Sequence, residues 1–159
     1  MNLKFRFTLI AGAAVAAATI AACGGGGGDS GAPAPAPAQS GTLGVSLTDA
    51  PACGFDAVNV TVSKVRVHQN SAAGENDSGW SDITLSPARK INLLNLTNGV
   101  LDSLGATSLP AGKYNQLRLV LDANGGAGTA NTVVPTGSTA EKTLETPSAV
   151  QSGIKINGQ

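Results

Sequence analysis

The sequence contains a single histidine, His68, which limits the acid–base and metal chemistry that the chain can support. Zinc sites of the HExxH type need two histidines, so the sequence excludes them. A Ser-His-Asp triad would have to combine His68 with Asp49 and a serine. No serine lies in a Gly-x-Ser-x-Gly elbow, and His68 lies at a strand end rather than in a catalytic loop. We therefore interpret His68 as a half-exposed strand residue hydrogen-bonded to a neighbour, and we predict no catalytic residues and no enzyme.

The acidic residues are the next candidates, because carboxylates bind calcium and act as general bases. The segment Asp122–Gly125 begins like a calcium loop, but its fifth and twelfth positions lack oxygen ligands. A weak calcium site that combines Asp122 with Glu75 or Asp77 is the alternative to a simple turn. Asp49 is interpreted as a residue that closes a turn by bonding the backbone. The sequence thus predicts no metal and no other cofactor.

A possible polar patch lies in the segment Lys113–Asp122. Gln116 and Arg118 alternate there with leucines, so they occupy the opposite face of a strand from the apolar residues, where they are expected to form a polar cluster with Tyr114 or Asp122. The patch predicts either a ligand-binding surface or a plain solvated face. A module that binds a small ligand or a glycan would need a concave surface around Trp80 or Tyr114.

Cys23 carries the most specific chemistry of the sequence. The segment Ile20–Cys23 resembles the bacterial lipobox, in which the cysteine thiol receives a diacylglycerol and becomes the new N-terminus. Two basic residues and the apolar stretch 7–22 precede it, as in a secretory signal. The stretch is rich in alanine and shorter than the roughly 20 residues that span a bilayer. We therefore predict a lipoprotein signal peptide over residues 1–22 and lipidation at Cys23.

A tether follows the predicted anchor over residues 23–40. It consists of a glycine run and then Ala-Pro repeats, which have no means of forming a core. Several acyl chains on one residue anchor a protein stably, so the membrane is a predicted partner of an extracytoplasmic domain. Gly24 stands where an Asp would retain a lipoprotein at the inner membrane, which favours the outer membrane if the host is Gram-negative.

The composition excludes several classes of partner. The chain has 10 basic and 10 acidic residues without a basic cluster, which argues against nucleic acid. Aromatic residues make up only 3% of the chain, too few for a base-stacking platform. Abundant Thr, Val, Gly and Ser are typical of a β-rich extracytoplasmic domain.

Short alternating segments predict strands over residues 41–159. The pattern of residues 58–67 changes phase at Ser63-Lys64, which predicts a β-bulge. The polar stretch Asn70–Gly79 predicts an exposed hairpin loop. Residues Ile91–Leu96 predict a short strand, and the spacing of Leu101 and Leu104 predicts a helical turn with Gly105 as its cap.

The turn before Tyr114 indicates how the strands are connected. The segment Leu109–Tyr114 resembles the tyrosine corner of Greek-key sandwiches, in which the phenol bonds the backbone upstream. Together with the short strands, it predicts an antiparallel Greek-key β-sandwich of the immunoglobulin-like or transthyretin-like kind.

With these segments in place, the chain resembles the bacterial family catalogued as domain of unknown function 4382. The matching segments are Ser46–Pro51, Val58–His68, Leu93–Gly99 and Leu109–Leu119. The resemblance implies a surface or periplasmic lipoprotein with a sandwich fold, and it implies no activity for individual residues.

Cys53 becomes the odd cysteine once Cys23 is committed to lipid. Export places it where disulfides persist, and residues 153–157 have the pattern of a strand that should continue. We therefore expect a domain over 41–159 that lacks its last strand, whose cysteine would pair with Cys53 near the edge where residues 153–159 end. The alternative is a buried, inert thiol beside Phe55.

The sequence as a whole predicts a non-catalytic cell-envelope lipoprotein domain for interaction or structural support. Its partner would be an unknown envelope protein or a glycan. A module for a small ligand or glycan is the alternative, and an enzyme ranks below both.

Overall fold

The computed structural model describes residues 4–10, 39–49, 53–125 and 129–157, and strands dominate these residues. The strands are β1 Lys4–Ile10, β2 Ser40–Thr48, β3 Phe55–His68, β4 Ser81–Asn92, β5 Asp102–Pro110, β6 Gln116–Leu121, β7 Thr132–Pro135, β8 Lys142–Thr143 and β9 Ile154–Asn157. A 3₁₀ helix spans Leu93–Leu96, and a short helix, α1, spans Pro147–Gln151. No helix in the described part of the chain is long and apolar enough to cross a membrane.

The strands form two antiparallel sheets, which confirms the predicted all-β sandwich. Sheet A has the order β1-β2-β5. In sheet B, β7 and β6 pair with successive parts of one side of β3, and β4 pairs with its other side. Strand β8 lies beyond β7, and β9 lies beyond β6. The register of β3 shifts between Val62 and Lys64, so the predicted bulge is confirmed. Near this point the neighbour of β3 changes from β7 to β6.

The core contains the inward-facing residues of both sheets. Because the bulge corrects the phase of β3, all five of its alternating valines are buried, on both sides of the shift. The main contributions come from β2, β3 and β6, namely Leu43, Val45, Leu47, Val58, Val60, Val62, Val65, Val67, Leu117, Leu119 and Leu121.

The strand predicted over Ile91–Leu96 ends at Asn92, so that prediction is wrong in its second half. The Asn92 side chain accepts hydrogen bonds from the backbone N–H groups of Leu94 and Val58, at 3.1 and 3.2 Å. These bonds turn the chain into the 3₁₀ helix. Leu93 and Leu96, three residues apart, are both buried because their spacing matches the period of three of such a helix.

The helical turn predicted near Leu101 and Leu104 is also wrong, because residues 102–110 form β5. Pairing with β2 overrides the local spacing: Leu104 is buried, whereas Leu101 is 50% exposed. Gly105 is the register partner of Val45, at the point where the pairing shifts. Its φ of +114° belongs to that irregularity and not to a helix cap.

The two ends of the sandwich differ in their connections. At one end, which we call the tether end, the carbonyl of Gln39 accepts a hydrogen bond from the N–H of Ala111 at 2.8 Å. The carbonyl of His68, at the end of β3, accepts one from Asn115 at 3.1 Å at the same end. The opposite end, which we call the far end, contains the end of β2 at Thr48 and the start of β3 at Phe55.

Cys53 is exposed and free, and it precedes β3 at the far end. Strand β9 runs antiparallel to β6 and reaches Asn157, the register partner of Gln116, at the tether end. The expected position of Cys53 near the edge where residues 153–159 end is therefore wrong. The disulfide inferred for Cys53 loses its geometric support, and so does the alternative of a buried thiol. Cys23 and the tether up to residue 38 lie outside the described residues.

Candidate functional site

Polar side chains line the outer face of sheet B, opposite the core. Gln116 and Arg118 alternate with the core leucines of β6, so they emerge on the outer face. Their register partners on β3 are His68 and Arg66. The predicted patch thus contains two arginines side by side, of which sequence analysis had named only Arg118.

The arginines belong to a row of charged residues across four strands. Asp82 on β4, Arg66, Arg118 and Lys155 on β9 are successive register partners. Arg66 forms a salt bridge with Asp82, with Nε 3.0 Å from Oδ1. Like charges placed directly opposite each other on a sheet are destabilising. The repulsion between the adjacent guanidinium groups must therefore be offset by other contacts.

Trp80 offsets part of this repulsion through cation–π contacts with both arginines. The guanidinium carbons of Arg66 and Arg118 each lie 4.8 Å from the centroid of the Trp80 ring. The negative face of an indole attracts cations at this distance. The indole N–H donates to the carbonyl of Gly74 at 2.9 Å, which fixes the ring against the loop over residues 69–79.

This loop covers Arg118 and Gln116, which are the buried members of a hydrogen-bonded layer on the outer face. Arg118 donates from Nη2 to the carbonyl of Ala73 at 2.6 Å and from Nη1 to that of Ser152 at 2.9 Å. With its amide oriented to satisfy both ends, Gln116 accepts from the Arg118 Nε at 2.9 Å and donates to the Asn70 carbonyl at 3.1 Å. Only 7% of Arg118 and 2% of Gln116 are exposed. The expectation of a plain solvated face is therefore wrong.

Both ring nitrogens of His68 bond to the backbone of the same loop. Nδ1 accepts from the N–H of Asn70 at 2.9 Å, and this assigns the ring proton of the neutral form to Nε2. Nε2 then donates to the carbonyl of Ser78 at 2.9 Å. The interpretation of His68 as a strand residue hydrogen-bonded to a neighbour is confirmed.

Tyr114 does not share this hydrogen-bonded layer with Gln116 and Arg118. Its hydroxyl donates to the carbonyl of Pro110 at 3.1 Å, four residues upstream, so the predicted bond of the tyrosine corner is confirmed. The predicted patch therefore separates into a corner that fixes a turn and a layer that fixes a loop.

The acidic residues considered for calcium are not brought together. Asp77 accepts a hydrogen bond from the N–H of Gly74 at 2.8 Å within the loop that follows β3. Asp122 follows β6 at its other end, and its N–H donates to the carbonyl of Thr61. Within the described residues, no group of three or more His, Cys, Asp or Glu side chains is placed to hold a metal ion.

Comparison with known proteins gives one match. The model of the family described as "Domain of unknown function (DUF4382)" matches residues 40–159. The chain belongs to the DUF4382 family. No curated protein and no solved structure matches it significantly. The match begins at the first residue of β2 and includes β2–β9, so β1 is the one described strand that lies outside it.

A groove of about 610 Å³ opens between β4 and β5, the facing edges of the two sheets of the DUF4382 domain. Arg89 crosses it, donating to the carbonyl of Ser103 at 2.7 Å and to the carboxylate of Asp102 at 2.5 Å. Arg89 thus joins sheet B to sheet A. The groove lies away from Trp80 and Tyr114, where a ligand module was expected to have its concave surface.

Asn131 is a further polar residue of the DUF4382 domain that sequence analysis missed. Its side chain is fully buried, accepts from the N–H of Thr61 at 2.9 Å and donates to the carbonyl of Asp122 at 2.8 Å. Its own N–H donates to the side chain of Asn124 at 2.7 Å. No periodic pattern marks a buried amide within a connection, whereas the outer position of Arg66 follows from the alternation of β3.

Proposed function

We propose that this chain is a non-catalytic envelope lipoprotein whose domain presents an interaction or structural surface away from the membrane. Cys23 carries the lipid, residues 1–22 are removed, and residues 23–40 hold the domain at a distance. The lipobox-like segment, the signal pattern and the glycine-rich tether support this reading. An extracytoplasmic location, at the outer membrane in a Gram-negative host, follows from the same features.

The observation that carries the proposal is the position of three of the four large apolar side chains that are exposed in the described part of the chain; the fourth, Ile154, lies on β9. Val100 and Leu101 are 51% and 50% exposed, and Phe55 is also exposed. All three lie at the far end, because Leu101 directly precedes Asp102, the register partner of Leu47 near the end of β2. The tether enters at the opposite end. In a domain attached through this tether, the apolar group therefore lies at the end opposite the attachment point.

The turn before Val100 holds this part of the far end in a defined conformation. Asn98 and Gly99 have φ values of +59° and +84°, and the N–H of Val100 donates to the carbonyl of Thr97 at 3.3 Å. Two central residues with positive φ are typical of a type I′ turn. Val100 and Leu101 are adjacent at the end of this turn, and we propose that they contribute to an apolar contact surface.

The outer layer supports a non-catalytic role. Three polar side chains of this layer are chemically suited to bind a ligand or to transfer protons, namely His68, Arg118 and Gln116. All three form hydrogen bonds with the backbone of the loop or with each other. Their bonds hold the loop on sheet B. Trp80 is likewise engaged by two guanidinium groups and by the His68 ring, whose centroid lies 5.0 Å from that of the indole.

Two experiments test the proposal. First, Cys23→Ala should release the protein from the membrane fraction; a variant that is cleaved elsewhere and still sediments with membranes would contradict the lipid anchor. Second, a photoreactive amino acid at Leu101 should form adducts with envelope components in intact cells. The matched control is Ile154, an apolar residue that is 37% exposed on β9. Equal adducts at both positions, or none at Leu101, would contradict a contact surface at the far end.

A further inference from the structure

Strand β2 has a neighbour on each side in sheet A. On one side it pairs with β5, and on the other with β1, from Lys4 opposite Thr48 to Ile10 opposite Thr42. The pairing with β1 continues over seven residues without a register shift. Strand β1 is the outermost strand of the sheet.

The sequence of β1 matches the alternation of β2 in this register. The register partners are Phe5 with Leu47, Phe7 with Val45, and Leu9 with Leu43. Leu43, Val45 and Leu47 are buried residues of the core. Directly opposed residues of antiparallel strands belong to the same face of a sheet. The register partners of these three core residues of β2 are therefore all apolar in sequence.

The edge of β2 lacks the features that protect a free sheet edge. Sheet edges in soluble proteins are protected by charged residues, by proline or by shortness. The outer strands β4, β5, β8 and β9 have such features, namely Pro87, Arg89, Asp102, Pro110, Lys142 and Lys155. The sequence of β2, Ser40–Thr48, contains no charged residue and no proline. Its only irregularity lies in the pairing with β5. Strand β2 therefore has the composition of an interior strand.

We infer that the edge of β2 is a strand-addition site. It binds an extended segment of a partner protein, antiparallel to β2, with apolar residues at alternate positions. The inference rests on the proposed processing at Cys23, which removes β1 together with residues 1–22 and exposes the edge. The family match supports it, since this match begins at residue 40 and leaves β1 outside. Main-chain hydrogen bonds supply the affinity in such additions, and alternate side chains supply the specificity.

We propose that the edge of β2 binds a single extended segment and not the sheet of a second copy of the domain. Among the described residues, one strand occupies this edge and none lies beyond it. A second copy pairing through its own β2 is the competing occupant, and the experiment distinguishes the two.

The test uses the processed protein purified from membranes in detergent, with its mass measured to establish whether residues 1–22 are absent. The probe is a fluorescent peptide with the sequence of β1, Lys-Phe-Arg-Phe-Thr-Leu-Ile. The control peptide, Phe-Phe-Leu-Ile-Lys-Arg-Thr, has the same composition but groups its apolar residues, so that no register places three of them at alternate positions. We expect saturable binding of the first peptide and roughly tenfold weaker binding of the second, because only the first matches the face pattern of β2.

A disulfide experiment tests the register. The protein carries Ser46→Cys and Cys53→Ser, and the peptide carries cysteine either at the Arg6 position, opposite Ser46, or at the Ile10 position. Directly opposed residues lie within disulfide range, whereas four residues along a strand correspond to about 13 Å. Cross-linking should therefore be faster at the Arg6 position.

Two results would overturn the inference: equal binding of both peptides, or cross-linking without preference for the Arg6 position. A stable dimer in light scattering that excludes the peptide would assign the edge to a second copy, which also overturns it. Retention of residues 1–22 contradicts the proposed processing instead. The edge is then tested within the chain by the disulfide of Arg6→Cys with Ser46→Cys, against Ile10→Cys with Ser46→Cys, both with Cys23→Ala and Cys53→Ser. Equal yields of these two disulfides would overturn the strand site itself.

Discussion

Arg118→Met tests directly whether the outer layer holds the loop over residues 69–79 on sheet B. The substitution removes the hydrogen bonds to the carbonyls of Ala73 and Ser152, and bonds from a charged donor contribute roughly 1.5–3 kcal/mol each. It also removes the contact with Trp80, which adds about 0.5–2 kcal/mol. Methionine retains an apolar stem, and the buried cation no longer has to be desolvated. We therefore expect a net loss of about 2–4 kcal/mol in the free energy of unfolding.

Two measurements check this expectation. With a urea dependence of about 2 kcal/mol per molar, the unfolding midpoint should fall by roughly 1–2 M. A loop released from the sheet should also be cut faster by a glutamate-specific protease after Glu75, because the Arg66 bond to the Glu75 carbonyl depends on the same layer. The cleavage rate reports on the loop itself, whereas the midpoint reports on the whole domain.

Arg89→Met is the matched control. Like Arg118, Arg89 bonds two acceptors, here a backbone carbonyl and a carboxylate, but its side chain is 44% exposed. Exposed ion pairs contribute about 0–1 kcal/mol, so the control should change the midpoint little and leave the cleavage after Glu75 unchanged. If Arg118→Met is no more destabilising than Arg89→Met, or if both give the same cleavage rate, the layer does not hold the loop and the reasoning is refuted.

Two further predictions concern hydrogen bonds elsewhere in the domain. Tyr114→Phe removes the bond to the Pro110 carbonyl and should cost about 0.5–1.5 kcal/mol, measured by thermal melting; an unchanged melting curve would reject the corner as a stabilising feature. Asn131→Ala leaves the Thr61 N–H and the Asp122 carbonyl without their partner and should cost about 2–4 kcal/mol in urea unfolding. A loss below that of Tyr114→Phe would show that water replaces the amide.

Features that depend on neighbouring residues along the chain were predictable. Alternation identified β2 and the valines of β3, and the change of phase located the bulge beside Ser63. The segment Leu109–Tyr114 predicted the hydroxyl bond of Tyr114. Each of these signals is set by local geometry, because side chains on a strand alternate with a period of two and a corner closes within a few residues.

Features that depend on pairing were not predictable from the same signals. Leu101 and Leu104 have a helical spacing, yet β5 forms because β2 supplies its hydrogen-bonding partner. The separation of Cys53 from the end of β9 follows from the position of Cys53 before β3 and from the antiparallel direction of β9 against β6, which no pattern within residues 153–159 encodes.

For the candidate site, the sequence by itself determined the residue types and the face that they occupy. Gln116 and Arg118 had to oppose the leucines of their strand, and the signal, the lipobox-like segment and the tether predict how the domain is held. Only the tertiary structure decided that Arg66 lies beside Arg118, that Trp80 contacts both, and that a polar loop buries Arg118 and Gln116. The physical reason is that burial of a polar face depends on which distant segment supplies carbonyl acceptors for it, and that choice is made when the whole chain packs.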